Sequence, residues 1–180
     1  MSRIKKINLK FIDVMISIVL GLGFQWWSEL HEPWQYIAFI FVYIDIVDYW
    51  IDFAAAAKSL PPKKETGLML DVGIMFALFC YIYATHTTII YFILSFILFR
   101  IFDFFSLITL KREHHPTGSN LLFANTWLKI DFFEIIISCG IILLNYYNIT
   151  TPLITLSTFI IWRIITRIIA SLRYKHVHFS

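Results

Sequence analysis

The chain has 180 residues, of which 59% are apolar and 18% aromatic, with a mean hydropathy of +0.73 and a formal net charge of +3. Soluble domains usually sit near 45–50% apolar, so the composition points to an integral membrane protein of all-α class and leaves no length for a separate soluble domain. With that much apolar surface, the small positive charge is better explained by membrane topology than by nucleic acid, and no nucleic-acid partner is expected.

Six apolar segments, each near the roughly 20 residues that span a bilayer, predict transmembrane helices over 11–28, 34–57, 67–85, 87–110, 127–147 and 152–172. Together they form one transmembrane domain, 1–180. The first begins after Arg3, Lys5, Lys6 and Lys10; "GLGFQWWSEL" offers no small-residue cleavage site, so this helix reads as uncleaved. Trp26, Trp27, Trp34 and Tyr36 gather where an outer aromatic belt would lie. The second segment carries Asp45, Asp48 and Asp52, whose spacing places them along one helical face. Lys58, Lys63 and Lys64 follow it, and Lys111 and Arg112 follow the fourth segment. Arg173 and Lys175 close the chain, whereas "SELHEP", "THTT" and "NYYNITT" carry no lysine or arginine. The positive-inside rule therefore places both termini in the cytoplasm of a multi-pass protein of the plasma or inner membrane.

All five prolines fall at segment edges or in loops, with Pro33 and Pro152 at helix starts, where a missing N–H costs little. Comparing helices suggests three repeated hairpins of about 60 residues. The odd helices begin "FIDVMISI", "LMLDVGIMF" and "KIDFFEIII", which aligns Asp13, Asp71 and Asp131. The even ones contain "VYIDIVDYW", "ILFRIFDFF" and "IIWRIITRI", which aligns Asp45 with Arg100 and Arg163, and Asp48 with Asp103. Gly21, Gly23, Gly73 and Gly140 all fall in odd helices, suggesting that these pack more closely.

Ionisable groups deep in a membrane are expensive and mark ion or substrate paths. At about 1.5 Å per residue, Arg100 and Arg163 fall near the midplane, with Arg167 one turn nearer the cytoplasm. Asp45, Asp48, Asp52 and Asp103 occupy the inner half, where they would line an ion pathway or vestibule. Asp13, Asp71, Asp131 and Glu134 are expected at cytoplasmic helix ends, complementing the helix dipoles. The arginines would pair with the acids across helices or gate the path. Eight acids face four bases in this half once Lys129 is included, and the excess favours a hydrated vestibule attractive to cations.

The expectation is a homo-oligomeric cation channel in the lipid bilayer. A small ion- or proton-coupled transporter is the alternative, although glycine or proline breaks in its helices would be usual. A membrane effector or anchor controlled by a soluble cytoplasmic partner is the third reading. A voltage sensor is disfavoured by the irregular spacing of Arg163, Arg167 and Arg173, and the sequence TVGYG is absent. No zincin helix, P-loop or nucleophile elbow appears, and His86 and Ser138 stand alone, so no enzymatic activity is expected. Glu113, His114 and His115 read as a solvated loop, and Cys80 and Cys139 as buried free thiols. Neither metal nor cofactor is expected.

Overall fold

The computed structural model describes the backbone of residues 3–178 and the side chains of Lys10 and residues 12–173. The basic side chains of Arg3, Lys5, Lys6 and Lys175 lie outside the described residues. All regular structure among the described residues is helical, with no strand. Its six helices are α1 (Arg3–Gly23), α2 (Pro33–Ser59), α3 (Glu65–Tyr83), α4 (Ile89–His114), α5 (Gly118–Tyr146) and α6 (Pro152–His178). Short 3-10 turns extend α1 over Phe24–Glu29 and α3 over Ala84–His86.

Local chemistry explains the boundaries. Pro33 and Pro152 occupy first helical positions, and Gln35 reaches back to accept from the backbone N–H of His31 at 2.7 Å and of Glu32 at 2.9 Å. At the other end of α4, His115 adopts a left-handed conformation (φ 44) and Pro116 follows, so the helix cannot continue. Helix α5 starts at Gly118, nine positions before the expected 127, because "GSNLLFANT" contains no proline and continues the helical turn.

Among the described residues three helical stretches, Glu65–His86, Ile89–His114 and Pro152–Arg173, are long and apolar enough to cross a membrane, which makes this a membrane protein. Helices α2 and α5 are longer than most spans but are interrupted by Asp45, Asp48 and Asp52, and by Lys129, Asp131 and Glu134. Of these charges Asp45, Asp52, Asp131 and Glu134 turn inward and are buried. Hydrophobic residues left exposed, such as Ile44, Val47 and Ile51 on α2, cover the outer surface, as lipid contact requires.

Helices α3, α4, α5 and α6 pack in chain order, and α2 fits between α6 and α3. Helix α1 lies chiefly against α3, with less contact to α2, so the first two helices do not form a tight hairpin like the later ones. The glycines divide likewise. A Cβ on Gly73 would come within 2.6 Å of the Phe102 ring, so a true close approach joins α3 to α4, whereas Gly21 and Gly140 face open space.

One apolar cluster fills the end of the bundle remote from the α2–α3 and α4–α5 connections. Tyr81, Phe92, Phe96 and Phe159 are fully buried there, with Phe96 and Phe159 meeting edge to face at 4.8 Å. Of the expected aromatic belt, Trp27 and Tyr36 face outward, while Trp26 and Trp34 are buried. Trp26 is held by Phe79 and Tyr83, each with its ring 5.1 Å away. Both cysteines are free, but Cys139 is exposed on the outer surface and Cys80 half-buried.

Candidate functional site

Beneath the aromatic cluster, at the end of the bundle bearing the basic connections, three arginines enter the interior. The i+4 spacing of Arg163 and Arg167 puts both on one face of α6, and Arg100 enters from α4. Arg100 is 0% exposed and Arg163 2%. An unpaired guanidinium at such depth would be prohibitive, and each arginine is met by carboxylates from several helices.

Arg163 donates through Nε to Asp45 Oδ1 of α2 at 2.9 Å and through Nη1 to Glu134 Oε1 of α5 at 3.1 Å. Arg100 donates through Nη1 to Asp103 Oδ2 and Asp131 Oδ1, both at 3.3 Å. Its Nε also lies 2.7 Å from Glu134 Oε2, an ion contact without hydrogen-bond alignment. Glu134 thus bridges two arginines and also accepts from the Thr166 hydroxyl. Arg167 engages both oxygens of Asp48, with Nη2 donating to Oδ1 at 2.7 Å, and its Nη1 reaches Asp52 Oδ2. Such bidentate forks are what the planar guanidinium does better than lysine.

Trp127 of α5 sits among all three cations. Its ring centre is 5.5 Å from the Arg100 guanidinium carbon, 5.7 Å from that of Arg163 and 5.6 Å from that of Arg167. Phe99 offers Arg100 a second face at 4.5 Å. Tyr49 of α2 donates its hydroxyl to Asp103 Oδ1 at 3.1 Å. Sequence reasoning missed Trp127, Tyr49 and Thr166 as members of this network. Trp127 stands four residues before Asp131 and seven before Glu134, so all three share a helical face, which is a signal the sequence did carry.

Asp131 and Glu134 require a correction: they do not lie at a helix end. With α5 starting at Gly118, they lie about three and a half and about four and a half turns into it, so they pair with arginines instead of complementing a dipole. Asp71 lies in the second turn of α3 and is buried. Asp13 is exposed on α1, away from the cluster, as is Lys129 on α5. Excluding those two, the interior holds seven carboxylates against three guanidiniums among the described residues.

A cleft of about 760 Å³, solvent at its mouth included, runs from this network to the end of the bundle. Asp48, Asp52, Asp71 and Asp103 line it, with Arg163 and Arg167 at its inner wall and Glu113 and His114 near its mouth. The α2–α3 connection is tied beside that mouth. Lys63 donates its backbone N–H to Glu113 Oε2 at 2.7 Å and its Nζ to the Glu113 carbonyl at 2.9 Å, and His114 Nε2 donates to the Pro61 carbonyl at 2.8 Å. Glu113 and His114, expected in a solvated loop, therefore belong to the last turn of α4 and fasten its neighbour. Among the described residues no cluster of histidine, cysteine, aspartate or glutamate has the arrangement of a metal site. Comparison with protein-family models, curated proteins and solved structures finds no match to this chain.

Proposed function

We propose that the chain crosses the membrane six times with both termini in the cytoplasm, assembles as a homo-oligomer in the plasma or inner membrane, and conducts cations, with no catalytic role. On this reading the acid-lined cleft is the cytoplasmic vestibule. One observation carries it: among the described residues seven inward carboxylates are met by three guanidiniums. Were all ionised, the surplus negative charge would have to be met by water, protons or cations. Asp48, the most exposed acid of the network with 35% of its side chain accessible, lies where an entering cation would first be drawn. The buried layer of Tyr81, Phe92, Phe96 and Phe159 lies beyond the arginines and closes the axis of the bundle, so this conformation is a shut one.

That one-sided opening also favours a second reading, a proton- or cation-coupled carrier caught facing the cytoplasm. A third, a membrane effector driven by a soluble cytoplasmic partner, fits the exposed Lys63, Lys64 and Arg112 of the basic connections. Purified protein in liposomes separates these readings. A channel passes potassium down its gradient with no co-substrate, and Asp48→Asn lowers that flux. Uphill cation uptake driven by a pH gradient would establish the carrier instead. Liposomes that stay tight under voltage of either sign, unless a soluble partner is added, would favour the effector.

A further inference from the structure

A second groove lies on the outer flank of the molecule, where α5 and α6 run side by side. It encloses about 700 Å³, outside space included, and lies about 110° round α6 from the arginines of the cleft, with Thr166 between the two. Its inner part is walled by the exposed Phe133 and Ile169 and the half-buried Trp162, over the buried Ile130. Two bases, Lys129 of α5 and Arg173 of α6, line its other part. Both are exposed, no carboxylate lines the groove, and neither base has an ion-pair or hydrogen-bond partner among the described residues.

The register of the two helices makes the groove polar along its length. Asn145 meets Thr155, and Glu134 meets Thr166, so Lys129 falls at nearly the level of Arg173. In the sequence Arg173 follows the apolar run 168–172 and is itself followed by Lys175, which places both bases at the edge of the hydrocarbon layer. Phe133 and Ile169 each stand about one turn further in. A charged end at the interface and an apolar channel leading inward match an amphiphile with an anionic head. A free inorganic anion would leave the aromatic half of the groove unused.

We propose that this groove holds one anionic phospholipid, its phosphate between Lys129 and Arg173 and an acyl chain along Phe133, Trp162 and Ile169. Basic pockets between transmembrane helices are suited to such headgroups, and two bases at a phosphate make the anionic lipid preferred over a zwitterionic one.

The test uses the full chain in micelles containing phosphatidylglycerol or phosphatidylcholine, with retained lipid counted by native mass spectrometry. The wild type should retain one phosphatidylglycerol in preference to phosphatidylcholine. K129Q/R173Q should weaken that retention about 30-fold, the factor expected for two interfacial bases. Both residues are exposed, so the variant keeps the buried network; K64Q/R112Q, which removes two exposed bases elsewhere, should retain the lipid like the wild type. Equal loss in the two variants would reduce the effect to diffuse attraction and overturn the site. Undiminished retention in K129Q/R173Q would overturn it as well, and displacement of the lipid by millimolar inorganic phosphate would show a free-anion site instead.

Discussion

Removing the charge of Arg163 separates the energetic roles of its two partners. In Arg163→Gln the side chain keeps its length and amide donors but loses the cation that meets Asp45 at 2.9 Å and Glu134 at 3.1 Å. Glu134 retains Arg100, 2.7 Å away, and the Thr166 hydroxyl. Asp45, 7% exposed, has Arg163 as its ion-pair partner among the described residues, so most of the cost falls on it. Two opposite charges about 4 Å apart at an effective dielectric of 20 attract by about 4 kcal/mol, and breaking a buried pair typically costs about 3–5 kcal/mol. Arg163→Gln should therefore destabilise by about 3–5 kcal/mol in reversible unfolding in mixed micelles, followed by far-ultraviolet circular dichroism. Asp45→Asn in that background should restore about 2 kcal/mol or more, because it removes the stranded charge. Glu134→Gln in the same background should restore much less, because it strips Arg100 of a partner. A loss within about 0.5 kcal/mol, the range of ordinary surface substitutions, or strict additivity with Asp45→Asn would refute the reasoning.

Arg167→Gln should cost about 3 kcal/mol in the same assay, because it takes a guanidinium from the buried Asp52, while its loss at the partly accessible Asp48 is softened by solvent. Trp127→Leu removes an aromatic face from three cations at once and leaves a cavity; a loss of about 3 kcal/mol is expected by the same unfolding measurement. Gly73→Ala drives a methyl group into the Phe102 ring and should destabilise by about 1–3 kcal/mol, while Gly140→Ala, which meets open space, should be neutral or slightly stabilising. Glu113→Ala removes the carboxylate that accepts from the Lys63 backbone N–H while leaving the carbonyl that Nζ uses, and hydrogen exchange at Lys63 should quicken while the interior of α4 stays protected.

The apolar runs and peripheral prolines made the six helices legible, since lipid forces backbone groups to pair within each helix. The starting points of helices outside the hydrocarbon were less legible. Residues 118–126 read as a polar loop because hydropathy registers burial in lipid, whereas the chain there is a helix carrying polar side chains. That one boundary hid the place of Asp131 and Glu134 in the network. The choice of partners also depended on which helices become neighbours, and spacing within one helix does not encode this. Asp45 and Arg163 are far apart in the chain and meet because α2 packs between α6 and α3. Similarly, aligned entry aspartates gave no warning that Asp13 would face outward while Asp71 and Asp131 are buried, a consequence of α1 lying against the outside of α3.

The central claim is that the acid-rich cleft admits cations to a path across the membrane. Its most direct test is the reversal potential of the purified protein in a planar bilayer under a potassium chloride gradient. The account predicts a reversal near the potassium equilibrium potential, shifted toward zero by Asp48→Asn. A conductance that reverses at zero in the wild type, or follows the chloride gradient, would contradict it.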